Sequence, residues 1–152
     1  MVQGSQVVSI LTFTAELKRL VNEINRALAA EFRALGLTGV QAEALMALDR
    51  LGPVTLKQLA EHLIAESGHP SRLVSRLVDD GFVTREVSEV DGRAVTLELT
   101  AKGREHAALA LQARAPLVDE FADRFGDRVE NTKVLLREFR QALAERDGTR
   151  MP

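Results

Sequence analysis

Two guanidinium groups lie near the middle of the chain, in a segment that contains several short polar side chains and no carboxylate. Arg72 and Arg76 fall between Ser67 and Leu77, and neither Asp nor Glu occurs in that stretch. Arginine can donate two hydrogen bonds to a guanine edge or pair with a phosphate. The segment therefore predicts contact with a nucleic acid. The pattern does not decide which arginine contacts a base and which a phosphate.

The net charge of the whole chain does not favour a nucleic-acid partner. The 152 residues carry a formal net charge of −2, so any nucleic-acid contact needs positive charge concentrated on one face. A hydrophobic content of 45% with 28% charged residues is typical of a folded globular protein. The absence of cysteine excludes disulfides, thiolate zinc sites and thiol redox sensing. Charges interrupt every apolar stretch and no basic leader is present, so we expect a cytoplasmic, nucleoid-associated protein with no membrane partner.

Apolar residues at spacings of three and four predict helices along most of the chain. Two Thr–Gln pairs, Thr38 with Gln41 and Thr55 with Gln58, have capping-box spacing and mark helix starts. The first predicted helix runs from about Leu17 to Leu35, with Gly36 as its C-cap. The next four run from Thr38 to Leu51, from Thr55 to Leu63, from near Ser67 to Asp80, and from Thr100 to Phe125. Gly126 and Asp127 predict a break, and a last helix follows it. The inner face of the third helix is predicted to contain Leu56, Leu59, Ala60 and Leu63.

Between Phe82 and Leu99 the hydrophobic period changes to two, which predicts two strands. Asp91 and Gly92 separate the strands and are residues that a tight hairpin turn prefers. The apolar positions of the two strands are Val83, Val87, Val95, Leu97 and Leu99. A short helix, a turn, a second helix and a hairpin together predict a winged helix-turn-helix, in which the second helix enters a major groove.

Five segments in this order resemble the multiple-antibiotic-resistance regulator (MarR) family. They are TLKQLAEHL (55–63), SRLVSRL (71–77), GFV (81–83), DGRA (91–94) and LTAKGR (99–104). The resemblance implies a mainly α fold with a small β-hairpin wing, of class α+β. It also implies an N-terminal dimerisation helix over 1–36, a DNA-binding lobe over 37–104 and C-terminal dimerisation helices over 105–152. A homodimer of this kind would act as a sequence-specific, ligand-responsive repressor on a pseudo-palindromic operator in double-stranded DNA.

The resemblance assigns the DNA contacts to the helix that begins near Ser67 and to the wing. Arg93 would enter the minor groove, and Asp91 would hold the shape of the wing turn. If Ser67 is the N-cap, Pro70 falls at the third helical position. Otherwise the helix begins later, and residues Ser67 to His69 would precede it, so their predicted DNA contacts would not come from the helix. The candidate residues are Ser67, Gly68, His69, Pro70, Ser71, Arg72, Ser75 and Arg76 in the helix, with Arg85, Asp91, Gly92 and Arg93 in the wing.

Other functions remain as alternatives to DNA binding. The main one is a winged-helix protein-interaction module, in which the acidic wing residues Glu86 and Glu89 contact a protein. No nucleophile–base pair or glycine-rich phosphate loop predicts an enzyme. His62, His69 and His106 lack metal-ligand spacing, so we expect no metal site and no cofactor, with a small-molecule effector of unknown identity still open. Lys102 and Arg104 could be surface charges or could contact phosphate.

Overall fold

The computed structural model describes residues 4–63, 69–87 and 95–148, with side chains as far as Arg146. Within these ranges it is mainly helical with one small sheet, as the sequence predicts. The elements are α1 (Gly4–Ala34), α2 (Gly39–Leu51), β1 (Val54–Thr55), α3 (Leu56–His62), α4 (Pro70–Asp79), β2 (Val83–Val87), β3 (Val95–Leu99) and α5 (Ala101–Gly148). The predicted hairpin turn lies outside the described residues.

The end of α1 is set by a glycine with left-handed backbone geometry. Gly36 has φ of 73°, and its amide donates to the Arg33 carbonyl at 2.9 Å, while the Leu37 amide donates to the Phe32 carbonyl at 2.9 Å. This pair of bonds is a Schellman motif, which satisfies carbonyls at a helix C-terminus. Phe32 and Leu37 are both buried, so the same turn also seals apolar surface. The predicted cap at Gly36 is confirmed.

Both predicted capping boxes are present. The Gln41 amide donates to the Thr38 hydroxyl at 3.2 Å, and the Thr38 amide donates to the Gln41 side-chain oxygen at 2.9 Å. Thr55 and Gln58 form the same two bonds at the start of α3. The inner face of α3 is smaller than predicted, because Leu59 is fully buried whereas Leu56 is 36% exposed.

The sheet has three antiparallel strands in the order β1-β3-β2. The predicted hairpin strands pair with Val83 opposite Leu99 and Arg85 opposite Leu97. Strand β1 was missed because two residues are too short to produce a period-two pattern; it pairs through Val54 and Leu97. Val83, Leu97 and Leu99 are buried as expected, but the predicted inward positions Val87 and Val95 are exposed, since the hairpin extends past the core there.

One apolar core joins the sheet to α2, α3, α4 and the start of α5. Its fully buried large side chains come from every part of the lobe. Two alanines of α5 are also buried, and their small size allows that helix to pack closely against the core. The residues are Leu37, Leu45, Leu59, Leu77, Val74 and Val83, with Ala107 and Ala110 on α5. The core therefore fixes the position of α4 from one side only.

The predicted break at Gly126 and Asp127 is wrong, because α5 continues through both residues. Gly36, Gly52 and Gly81 adopt positive φ and follow helices, whereas Gly126 does not. A glycine inside a helix costs only about 1 kcal/mol relative to alanine, which the long flanking helical sequence offsets. Pro116 also lies inside α5, where it removes one backbone amide donor.

The two ends of the chain leave apolar side chains uncovered. No described residue from Gly4 to Ala27, or from Ala115 to Arg146, is buried. Contacts divide the chain into one compact unit up to Arg114 and a second from Ala115 onward; the predicted domain limits after residues 36 and 104 remain a prediction. Among the described helices, none has an apolar stretch long enough to cross a bilayer.

Candidate nucleic-acid interface

Helix α4 has two chemically distinct faces. Leu73, Val74 and Leu77 are buried in the lobe. The opposite face is exposed and carries the hydroxyls and guanidiniums that the sequence analysis identified, namely Ser71, Arg72, Ser75 and Arg76. Within the described residues Arg72 and Arg76 form no ion pair. The predicted contact residues of α4 are thus presented together on the surface, with two cations free to meet an anion.

The start of α4 settles the alternative left open at Ser67. His69 is the N-cap and Pro70 is the first helical residue, so of the two alternatives the later start is confirmed. Proline is favoured at this position because its fixed φ is helical and its missing amide is not needed. The His69 carbonyl accepts from the amides of Arg72 and Leu73 at 3.0 and 3.3 Å. Ser67 and Gly68 lie outside the described residues.

The first turn of α4 is electrically suited to an anion. It contains no acidic residue, and the N-terminus of a helix carries the positive end of its dipole. Amides add little here, because Pro70 has none and the Arg72 amide already donates to the His69 carbonyl. The only carboxylates of α4 and its C-cap, Asp79 and Asp80, are at the opposite end. A phosphate approaching Ser71 and Arg72 would therefore meet positive potential, with no carboxylate of α4 beside it.

Helix α3 braces α4, as a helix-turn-helix requires. The two helices pack against each other, with Leu59 of α3 fully buried and Leu77 of α4 beside the same core. Leu63, the C-cap of α3, is extended, and the segment between it and His69 lies outside the described residues. The arrangement holds α4 rigidly by its apolar side while leaving the polar side open.

The C-terminal end of α4 is fixed by a second Schellman motif. Gly81 has φ of 77°; its amide donates to Val78 at 3.0 Å and the Phe82 amide donates to Leu77 at 2.9 Å. The Phe82 side chain is buried. The sequence signal for this turn is the Gly-Phe pair directly after the helix, which places an apolar side chain at the position that closes the motif.

The start of α5 is anchored to this same turn. The Thr100 hydroxyl donates to the Gly81 carbonyl at 2.7 Å and accepts from the Gly103 amide at 3.0 Å, which confirms Thr100 as the cap. At Gly103 a methyl group would lie 2.0 Å from the Phe82 carbonyl oxygen. The closeness of α5 to the end of α4 therefore depends on the absence of a side chain at Gly103.

The two basic residues at the start of α5, Lys102 and Arg104, form hydrogen bonds within the lobe. Lys102 donates to the Asp80 carbonyl at 2.7 Å, and its ammonium lies 4.6 Å from the centre of the Phe82 ring. Arg104 donates to the Leu99 carbonyl at 2.8 Å. Both side chains therefore hold α5 to the end of α4 and to β3, a role that the sequence pattern did not reveal.

Gln41 connects the start of α2 to the end of α4. Besides completing its capping box, its side-chain amide donates to the Asp80 carboxylate at 3.2 Å. Gln41 is buried, with 8% of its surface exposed, and both its side-chain oxygen and its side-chain nitrogen form hydrogen bonds. The Thr38–Gln41 spacing predicts the cap but not this long-range bond, since no local pattern links residues 39 positions apart.

Replacing Gln41 with alanine should lower the free energy of unfolding by about 1–2 kcal/mol, because a partly buried hydrogen bond to the Asp80 carboxylate and a cap bond are lost together. Chemical denaturation of the whole chain measures the change. Gln58→Ala is the matched control, since Gln58 forms the same cap bond at an exposed site. Equal losses in the two variants would show that the Asp80 contact adds nothing.

Among the described residues of the wing, Arg85 contacts the exposed face of α4. Arg85 on β2 donates from Nη2 to the Ser75 hydroxyl at 3.0 Å. Glu86 is exposed on the same strand. The predicted wing contacts Asp91, Gly92 and Arg93 lie outside the described residues, so their contribution remains a prediction.

The histidines show no metal-like arrangement. The Nδ1 atom of His62 is 2.9 Å from the Gln58 carbonyl, and that of His106 is 3.0 Å from the Lys102 carbonyl. The His106 ring packs against Phe82 with centroids 4.8 Å apart. In the part of the chain that the structure describes, no three metal-ligating residues cluster. His69 is exposed at the start of α4, beside the candidate contact residues.

Comparisons with known protein families agree with this geometry. Residues 37–103 match a family model described as a winged helix DNA-binding domain. A helix-turn-helix transcriptional regulator of Bacillus cereus is 29% identical over 106 residues, covering 69% of each chain. The organic hydroperoxide resistance transcriptional regulator of Bacillus subtilis is 35% identical over 69 residues, covering 45% of this chain and 47% of its own.

Solved structures extend the similarity to almost the whole chain. A MarR family transcriptional regulator of Silicibacter pomeroyi is 26% identical with a TM-score of 0.69, covering 95% of this chain and 96% of its own. The reduced form of the Staphylococcus epidermidis protein AbfR bound to DNA is 25% identical with a TM-score of 0.69, covering 95% and 98%. The structural similarity to these proteins therefore includes the terminal helices as well as the lobe.

Proposed function

We propose that this chain is a winged-helix transcriptional regulator of the MarR family and that it represses transcription by binding a pseudo-palindromic operator as a homodimer. The observation that carries the proposal is the exposed face of α4, where Ser71, Arg72, Ser75 and Arg76 lie together above a buried apolar face. An α-helix fits the major groove of B-DNA, and side chains of this kind recognise base edges and phosphates there. As a regulator acting on chromosomal DNA, it would work at the nucleoid in the cytoplasm.

Binding of the full chain to DNA from upstream of its own gene, compared with a scrambled duplex, tests this function. We expect preference for the natural sequence and an affinity that falls steeply between two salt concentrations, because phosphate contacts release counterions. Equal affinity for both duplexes, or no binding at low salt, would favour the protein-interaction alternative. Since the family is one of regulators and not of enzymes, no catalytic step is part of the proposal.

Dimerisation is proposed through the two terminal helical regions. Large apolar side chains are exposed on α1, with Val8 at 63% and Leu11 at 64%, and on the last part of α5, with Val134 at 50% and Leu143 at 60%. An apolar surface of this extent on helices is favourable only when it is covered. A second copy would bury these side chains and present a second α4 to the next turn of the duplex.

Leu11→Lys should shift the protein from dimer to monomer at micromolar concentration, since a lysine at that apolar contact would lose its hydration without a partner. Sedimentation velocity on the full chain measures the change. Val87→Lys is the matched control, because Val87 is 61% exposed on β2, a strand of the lobe that belongs to neither terminal helical region. A Leu11→Lys protein that stays dimeric would contradict an α1 contact.

A small-molecule effector completes the proposal. Loss of DNA binding would follow when the effector holds the two α4 helices of the dimer at the wrong separation. The chain has six Phe and neither Trp nor Tyr, so such a ligand would be held by aliphatic contacts and phenylalanine more than by tyrosine or tryptophan. No cofactor is required for any of these steps.

A further inference from the structure

Within the described residues, a hydrogen bond connects the wing to the exposed face of α4. The Arg85 guanidinium on β2 donates to the Ser75 hydroxyl on α4 at 3.0 Å. Both side chains are exposed, so the bond lies on the surface that the proposed function assigns to DNA. Arg85 is therefore directed at a neighbouring side chain of the same surface.

The pleat of β2 explains why Arg85 reaches α4. Arg85 is two residues beyond Val83, so the two side chains share one face of the strand. Val83 is buried, and Leu97, the partner of Arg85 across the sheet, is buried as well. This is the face that packs toward the helices. Arg85 occupies its outer part, where the core ends and the surface of α4 begins.

The bond limits the hydrogen-bonding roles open to Ser75. A serine hydroxyl has one hydrogen to donate and two lone pairs that accept, whereas a guanidinium can only donate. Arg85 occupies one lone pair of the Ser75 oxygen, so the hydroxyl hydrogen cannot point toward Arg85 and one lone pair remains. Because an accepted hydrogen bond polarises the hydroxyl, it strengthens the bond that the hydroxyl hydrogen donates to another group.

We propose that Arg85 is a positioning residue that makes Ser75 a hydrogen-bond donor to a base acceptor in the major groove, and so determines sequence preference at one position of each half-site. This inference rests on the proposed function. In the major groove the acceptors are guanine O6 and N7, adenine N7 and thymine O4, whereas the N4 group of cytosine donates. A base that presents an acceptor is therefore favoured at that position over one that presents only a donor.

A direct phosphate contact by Arg85 makes different predictions. It would strengthen binding to every sequence equally and would steepen the salt dependence, with a slope of about 0.9 per phosphate neutralised. A positioning role changes the preference at one base pair and leaves the salt slope unchanged. The two roles are separable without knowledge of the operator.

Selection of duplexes from a random pool by the full chain, followed by binding assays on single-base variants of the selected site, tests the inference. Four proteins are compared: wild type, Ser75→Ala, Arg85→Ala and the double variant. We expect each single variant to lose about 3- to 10-fold discrimination at the same base pair, the equivalent of one hydrogen bond. The double variant should lose no more than either single one, since both remove the same contact.

Thermal unfolding of each variant, and an Arg19→Ala protein that removes an exposed charge from α1, serve as controls. Losses in the two single variants that add together would overturn the inference, as would a uniform loss across sequences with a lower salt slope in Arg85→Ala. A wild-type protein without sequence preference would overturn the proposed function as well. If the wild type prefers one sequence but the effects of Ser75→Ala and Arg85→Ala are independent, only the positioning role of Arg85 is overturned.

Discussion

Replacing Gly103 with alanine is expected to lower the free energy of unfolding by about 3 kcal/mol, since overpacking against fixed backbone costs 1–3 kcal/mol and occasionally more. The added methyl would lie 2.0 Å from the Phe82 carbonyl oxygen and 3.1 Å from a methyl of Leu99. That carbonyl already accepts from the Thr100 amide at 3.0 Å, so it cannot move without breaking the α5 anchor. The melting temperature should fall by about 6–12 °C for a chain of this length.

Gly126→Ala is the control for this prediction. It lies in the same helix, and nothing is within 4 Å of the position a methyl would occupy. This change should stabilise the protein by up to about 1 kcal/mol, because alanine is the better helix former. Calorimetry or chemical denaturation on the two variants measures the difference. If Gly103→Ala were as stable as Gly126→Ala, the tight approach of α5 to Phe82 would be refuted.

Alanine at Arg72 or Arg76 is expected to weaken binding to a specific duplex about 5- to 150-fold for each half-site, the range for loss of a good bidentate base contact. The two positions should differ. An arginine that reads a base loses discrimination at that base, whereas one that contacts phosphate weakens binding to all sequences and lowers the salt slope by about 0.9. Both side chains are exposed, so neither change should unfold the lobe.

Arg19→Ala is the charge-matched control, because the Arg19 guanidinium is exposed on α1 and pairs with Glu16 at 2.8 Å. It removes the same charge away from α4. Fluorescence anisotropy at several salt concentrations gives the affinities and slopes together. Wild-type affinity and salt dependence in both the Arg72 and Arg76 variants would remove α4 from the interface.

Sequence patterns predicted the lobe well wherever the determining signal is local. Thr38 and Thr55 each start a helix with Gln three residues later, and Gly36 and Gly81 each end one with positive φ. These are short-range bonds between residues close in the chain, so their residue types are sufficient to predict them. The alternation that predicts β2 and β3 is of the same kind.

The errors occurred where context outweighs a local signal. Gly126 resembles a helix stop but lies inside α5. The start of α4 was left open between Ser67 as N-cap and a later start, and Pro70 begins the helix after His69. Pro70 has no amide to lose at the first position, and its fixed φ favours a start there. Val87 and Val95 follow the inward alternation but lie beyond the edge of the core.

The part of the candidate site that no pattern could predict depends on long-range contacts. The bonds of Gln41 to Asp80 and of Arg85 to Ser75 join different elements. The importance of Gly103 comes from the backbone of Phe82, which is distant in sequence. Each requires knowledge of how the helices and the sheet pack, and that packing is specified by the whole core.

Guanine methylation protection on a selected duplex bound by the full chain tests most directly whether two copies of α4 read the major groove. Methylation occurs at guanine N7, an atom that faces the groove in which α4 is expected to lie. We expect two protected clusters whose centres are about 10 bp, or a multiple of it, apart on one face of the duplex. One cluster alone, or unprotected guanines throughout a bound site, would contradict the account.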